Sequence, residues 1–248
     1  IYAPTLGIIG AVLGLSAVLI TTPNGHFLID GGLPQSAEVI KQNIQALGFD
    51  VRDVEWLLNS HAHYDHAGGL ASLQRMSGAP IAASSKTLKA LELGHALPDD
   101  PQYATDNTMA FPAVASVRTI RDGETLALGG VTVTAHDTPG HAPGGNSWSW
   151  ESCEAGKCIT IVFADSLNPV SEPDYRFSDH PAYLTAFRQS IAKVRALDCD
   201  ILVSAHPEFS NLFERAAAGS LVDANGCRKY ADAAEVRLDK RLAQETAE

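Results

Sequence analysis

The sequence lacks a Cys-x-x-Cys pair, an excess of basic residues, a low-complexity tract and an internal repeat. Each absence excludes something. Without thiols at chelating spacing, a sulfur-rich metal site has no ligands. The four cysteines, Cys153, Cys158, Cys199 and Cys227, form an even set better suited to two disulfides. Pairing by proximity joins Cys153 to Cys158 and Cys199 to Cys227, one of three connectivities that sequence alone allows. Two disulfides imply an oxidising compartment, the periplasm or the cell exterior. Lys and Arg total 18 against 29 Asp and Glu, giving a net charge of −11 and a pI near 5.2. Nucleic-acid binding is mostly phosphate neutralisation by Lys and Arg, so that balance argues against a nucleic-acid partner. Residues 1–20 carry no charge. With no basic leader, and with Pro4, Gly7, Gly10 and Gly14 interrupting the run, they read as one or two buried strands rather than a signal or membrane segment. The chain starts at Ile1, as a processed or trimmed product would.

What is present suits a globular enzyme: 248 residues, 45% hydrophobic and 19% charged. That length is one large domain or two close halves. The densest chemistry is His61-Ala62-His63-Tyr64-Asp65-His66-Ala67-Gly68-Gly69. A strand-like run (residues 54–60) leads into it and a helix-like run (70–77) follows. His61 and His63 are two apart, so an extended backbone points both to one side. Asp65 and His66 fall on the turn, and the glycines are read as letting the chain bend into the helix. Imidazole is the commonest metal ligand and zinc takes nitrogen and carboxylate oxygen alike. Four ligand side chains on one loop exceed what one open four-coordinate zinc needs, which points to two metals.

Along the chain, residues 17–20 and 27–29 read as hairpin strands around Pro23-Asn24-Gly25. Ser36 is read as capping a helix to Leu47, with Val39, Ile40, Ile44 and Leu47 inward. Short strands at 81–83, 117–120, 124–128 and 131–135, and a helix ended by Gly94, complete the first part. Residues 95–112 show no periodicity, and long aperiodic loops in compact domains are usually functional; Gln102 lies there. Two Gly-Pro-rich turns, one on each side, place His141 at a strand end, as the third ligand that His61 and His63 lack. Strands at 146–150 and 159–163, a polar strand end at Asp165-Ser166-Leu167-Asn168, a helix at 181–197, a strand ending in His206 and a last helix from about Arg228 complete the chain. His26, His95, His136 and His180 read as ordinary surface or core histidines. Two mixed β-α halves, about 1–140 and 141–248, with ligands at strand ends, imply two sheets face to face with helices outside.

His-x-His-x-Asp-His-x-Gly-Gly resembles the metal signature of the metallo-β-lactamase superfamily. The stretch Gly140-His141-Ala142-Pro143-Gly144-Gly145-Asn146-Ser147-Trp148, the Ala164-Asp165-Ser166-Leu167 run and the Cys199/Cys227 pair resemble subclass B3 metallo-β-lactamases, over roughly residue 15 to the C-terminus. Ala142 and Asn168 depart from that pattern, where Thr and Ser or Thr are usual, and residues 1–14 do not look like the usual start. The resemblance implies an α/β fold, the four-layer αββα sandwich. It implies one zinc on His61, His63 and His141 and a second on Asp65, His66 and His206, with Asp30 supporting the site from behind. It implies substrate contacts from Gln102, Ser166 and Asn168. The expected activity is hydrolysis of β-lactam antibiotics by water that two zinc ions acidify to a pKa of roughly 7. Asp65 would orient that water or accept its proton, with no protein nucleophile. The partner is then a small-molecule β-lactam, with no membrane association and a monomeric chain. The alternative is another hydrolase of the same fold, a lactonase or a glyoxalase II-like thioesterase. Those tend to place a metal-bridging Asp where this chain offers Asp165 or Ser166, a choice that stays open on sequence.

Overall fold

A computed structural model of the chain describes residues 17–106 and 108–247, and the backbone of residues 2–3 and 8–9. Most of the reading of residues 1–14 therefore lies outside the described residues.

The described strands form two mixed sheets. The first runs in spatial order β1 (Tyr2–Ala3), β2 (Ile8–Ile9), β3 (Val18–Thr22), β4 (Gly25–Ile29), β5 (Val54–Leu58), β6 (Ile81–Ser84) and β7 (Val117–Ile120). Its neighbours are antiparallel from β1 to β4 and parallel from β4 to β7. Parallel neighbours need crossovers, which α1 (Ser36–Ala46), α3 (Leu70–Ser77) and α4 (Leu88–Leu93) provide. The second sheet comprises β8 (Thr125–Leu128), β9 (Val131–Asp137), β10 (Asn146–Glu154), β11 (Lys157–Ala164) and β12 (Ile201–Ser204), in the order β12-β11-β10-β9-β8. The helix α5 (Pro181–Ala196) makes the crossover from β11 to β12, the one parallel pairing among the described strands of that sheet. The chain passes from one sheet to the other between Ile120 and Thr125. That is earlier than the division near residue 140 expected from sequence, because β8 and β9 pair with β10 and not with the first sheet.

Strand periodicity sorts the core into three layers. In β3 and β4, Val18, Ile20, Phe27 and Ile29 pack between the sheets, while the alternate Leu19 and Leu28 pack under the first helices. In β11, Ile161 and Phe163 face the middle layer and Val162 and Ala164 face α5 and α7 (Gly226–Ala247), the helix that follows the short α6 (Leu212–Ala217). A strand covered on both faces reads as a continuous apolar run, as β3, β4 and the end of β11 do. The result is the αββα sandwich.

Two local readings are corrected. Val39 is 49% exposed, and only Ala37, Ile40 and Ile44 of α1 are buried. Ser36 is the first helical residue, and its hydroxyl accepts from the Leu33 N–H rather than capping the helix. Both expected disulfides form, Cys153–Cys158 and Cys199–Cys227. The first links a directly opposed pair at the end of the β10–β11 hairpin. Ala155 and Gly156 close that hairpin with φ of 49° and 79°, as a two-residue loop whose twist matches the strands requires.

The end of α7 is anchored by charge. The Glu245 carboxylate accepts from Phe177 N (3.0 Å), Ser178 N (2.9 Å) and Arg241 Nε (2.8 Å). Burial works against its charge, but the Arg241 and Ser178 hydrogen bonds outweigh that and hold it at about 2. A depressed carboxylate contributes stability above its unfolded pKa and loses it as pH falls through the folded one. Glu245→Gln is therefore expected to cost on the order of 2 kcal/mol at pH 7, or about 4–8 °C in Tm. The difference from the parent should shrink as pH falls from 4.5 toward 2. Melting curves across that range check it; a pH-independent difference would assign the effect to packing.

Candidate metal centre

The site lies along one edge of the sandwich, where β5, β9, β11 and β12 run out. After β5 the chain presents His61 and His63 in extended backbone, then makes a single turn, α2 (Tyr64–Ala67), carrying Asp65 and His66. Gly68 and Gly69 do not supply left-handed turns: Gly68 has φ −54° and Gly69 φ −85°. Their reason is close approach. A Cβ on Gly69 would stand 2.2 Å from Gly31 O, and one on Gly68 would stand 2.4 Å from Tyr64 O. The loop at residues 31–34 packs against this turn, with Gly31 N donating to His66 O at 2.8 Å.

The structure brings the six expected ligand side chains together. One nitrogen each of His61, His63 and His141 lies within 4.8 Å of the others, and so do donor atoms of His61, Asp65 and His66. His206 completes the second group: its Nε2 is 3.2 Å from His66 Nε2 and 3.6 Å from Asp65 Oδ2. His61, His63, His66 and His141 are buried; the Asp65 side chain keeps 29% of its exposure.

Four of the five imidazoles, all but His206, are held from behind, which fixes the nitrogen each offers forward. His61 Nδ1 pairs with Asp165 Oδ1 at 2.7 Å, leaving Nε2 forward, buried and without a protein partner. His66 Nδ1 pairs with Asp30 Oδ2 at 2.9 Å, and His141 Nδ1 donates to the Asn168 carbonyl at 2.8 Å. His63 is turned the other way: Nε2 pairs with Asp100 at 2.9 Å and Nδ1 is the forward nitrogen. Asp30 has φ of 58°, a left-handed conformation uncommon for Asp. It is kept there by Ser60 N at 2.7 Å, Ser60 Oγ at 2.6 Å and His66. Strain of this kind persists where surrounding bonds over-determine it.

The electrostatics fit a bound cation. Burial, and then the neighbouring histidines, push His61 well below the ordinary imidazole range; burial and His63 do the same to His141. Burial and His66 lower His206. These rings present lone pairs, the form that ligates metal. His66 is the exception. Burial opposes its charge, but the Asp30 hydrogen bond and the Asp65 carboxylate overcome it and raise it to about 9. Burial raises Asp65, but His66 and His206 outweigh it and hold the carboxylate low. Asp65 and Asp30 thus favour positive charge at His66, a charge that a metal ion would supply in place of the proton. The unpartnered His61 Nε2 and the neutral histidine cluster fit a metal with nitrogen ligands.

Of the expected substrate contacts, Gln102 sits over the ligands, whereas Ser166 and Asn168 lie buried beside them. Gln102 Nε2 lies 3.2 Å from His141 Nε2 and 3.4 Å from His63 Nδ1, directly over the three-histidine group. Ser166 and Asn168 are buried and bonded to each other, Asn168 Nδ2 donating to Ser166 Oγ at 3.2 Å. Of Asp165 and Ser166, it is Asp165 that engages a ligand, and it does so from behind His61. Two supports have no role on sequence alone: Asp100, and Asn59, whose side chain bonds Asp30 and the His61 carbonyl. An Asp in an aperiodic loop and an Asn closing an apolar strand were the signals. The four spare histidines form no part of either donor group.

The metallo-beta-lactamase superfamily model matches residues 11–206. The chain is similar to the solved Rm3 metallo-beta-lactamase, at 50% identity over 94% of this chain and 89% of that one, with a TM-score of 0.89. It is also similar to MEM-A1, a subclass B3 metallo-beta-lactamase from a soil metagenome library: 47% identity, 98% and 93% coverage, TM-score 0.90. Among curated proteins it resembles a hydroxyacylglutathione hydrolase of Anaeromyxobacter dehalogenans, 28% identical over 63% of this chain. The match spans 34% and 56% of the length of the first two curated relatives.

Proposed function

The chain belongs to the metallo-beta-lactamase superfamily, and from that premise we propose that it is a zinc-dependent hydrolase that opens the β-lactam ring of penicillins, cephalosporins and carbapenems. Such an activity confers antibiotic resistance. The observation that carries this reading is the position of Asp165. Its Oδ1 is spent on His61 Nδ1, behind the ligand set, and the only carboxylate in the two donor groups is Asp65. A lactonase or thioesterase reading calls for a second carboxylate shared by the two donor groups, and none of the described residues offers one there.

His61 Nε2, His63 Nδ1 and His141 Nε2 would hold one zinc, and Asp65, His66 and His206 the other. Bound zinc would supply Lewis acidity toward the amide carbonyl and lower the pKa of water to roughly 7. The protein's own contribution is pre-orientation. Asp165, Asp100, Asp30 and the Asn168 carbonyl fix four imidazoles before substrate arrives, so little reorganisation remains for the reaction. Asp65 stays ionised at neutral pH and reaches solvent, so it can orient the attacking water and accept its proton. Gln102 overhangs the same ligands and would contact bound substrate. Two disulfides suit a periplasmic or secreted protein. No described helix is long and apolar enough to cross a membrane, and the chain is expected to act as a monomer.

Ser166 and Asn168 are assigned to the substrate carboxylate. Asn168→Ala should keep both metals, because the carbonyl that holds His141 is main chain. A hydrogen bond to a charged group contributes about 1.5–3 kcal/mol. The variant should therefore lower kcat/KM by about ten- to a hundred-fold, chiefly through KM. Unchanged KM with a lower Tm would assign the amide to the turn it closes with Ser166 instead. The activity itself is tested with nitrocefin and imipenem, with and without a chelator. Turnover of both, abolished by chelation and restored by zinc, is expected. A lactone or thioester hydrolysed while both antibiotics survive would replace the proposal with the alternative.

A further inference from the structure

Residues 165–168 carry two of the three supports of the three-histidine group. The Asp165 carboxylate holds His61 and the Asn168 carbonyl holds His141. Yet this segment has left the sheet. The β11–β12 ladder ends at the Ala164–Ser204 pair, and its last backbone bond runs from Ala205 N to Ala164 O. Beyond it the backbone needs other partners, since a buried peptide group without one is costly. A single side chain supplies two. The Tyr230 hydroxyl accepts from Leu167 N at 3.2 Å and donates to Asp165 O at 2.9 Å. Tyr230 is 3% exposed and packs in the same core layer as Val162, Phe187 and Leu202. Its helix, α7, is tied to the start of β12 by the Cys199–Cys227 disulfide, one turn before Tyr230. The hydroxyl thus stands on a covalently anchored helix and pins the segment that aims His61 and His141.

We infer that Tyr230 is a positioning residue for the three-histidine metal site, acting through Asp165 and Asn168. The inference rests on the reading that His61, His63 and His141 hold zinc. Tyr230→Phe keeps the buried ring and removes only the hydroxyl, so the fold is retained. Freed from that bond, the segment relaxes, and two imidazoles lose the fixed backing that a supporting residue gives a ligand. Removing such support typically costs 10- to 100-fold in metal affinity, and a residue one step further back should fall near the lower figure.

The test is zinc binding by the full chain, read by competition with a chromophoric chelator. A His206→Ala background leaves the three-histidine set intact and isolates it. Tyr230→Phe added to it should weaken zinc about tenfold. Leu242→Ala, on the same helix and against the same core layer, lacks any bond to residues 165–168. It should lower Tm and leave zinc affinity unchanged. Affinity in Tyr230→Phe equal to its parent's, or an equal loss in Leu242→Ala, would overturn the inference. If the His206→Ala parent bound no zinc, the metal reading would fall and the inference with it.

Discussion

His61→Ala is expected to empty the three-histidine site and to lower β-lactam kcat/KM by about 10⁴-fold. Three effects add. The substitution removes a nitrogen ligand, and a three-ligand site cannot spare one. It strands the Asp165 carboxylate, buried and already pushed well above its ordinary range by burial, without the imidazole it faces. It also removes the ring that stands between the two groups, since His61 lies within reach of both. Lewis-acid stabilisation contributes several kcal/mol, and each 1.36 kcal/mol is tenfold in rate. Elemental analysis after dialysis, with kinetics, reads the result. Near-parent activity with a full metal complement would refute the assignment of His61 as a ligand.

Asp65→Ala should behave differently. The second group loses its only carboxylate, and His66 loses one of the charges that favour a cation beside it. The three-histidine set, each ring still held by Asp165, Asp100 or Asn168, keeps its ion. One zinc per chain should remain. The fall should be mainly in kcat, about 10²–10⁴-fold, the range for a lost general acid–base group, with KM little changed because Asp65 acts on water and not on the bound drug. Two retained zincs and an intact kcat would remove Asp65 from both roles. The pair of variants therefore separates the groups: one destroys the first site, the other spares it.

The sequence made the candidate ligand positions legible because their physics is local. His61 and His63 face one way through a period of two, and His141 and His206 each stand where an apolar or Gly-Pro-marked segment ends. The layers were legible too, since β3, β4 and β11 read as runs covered on both faces. What could not be read was whatever depends on distant partners. Asp100 meets His63 across 37 residues and Asp165 meets His61 across 104. Nothing local marks either pair, and only the geometry distinguishes Asp165, which pairs with His61, from Ser166, which pairs with Asn168. Gly68 and Gly69 mark the right loop for a different reason than turn flexibility: close approach demands them, by Tyr64 and Pro34 at Gly68 and by the Gly31 backbone at Gly69. Val39 fits the apolar stripe of α1 by spacing, yet it falls at the stripe's edge, where solvent reaches it.

The central claim, a two-zinc β-lactam hydrolase, is tested most directly by titrating zinc into chelator-stripped protein while following nitrocefin and imipenem hydrolysis. The account predicts no turnover without metal, a rise with added zinc, and full activity at two equivalents per chain. Hydrolysis by the metal-free protein, full activity at a single equivalent, or two bound zincs with neither antibiotic opened would contradict it.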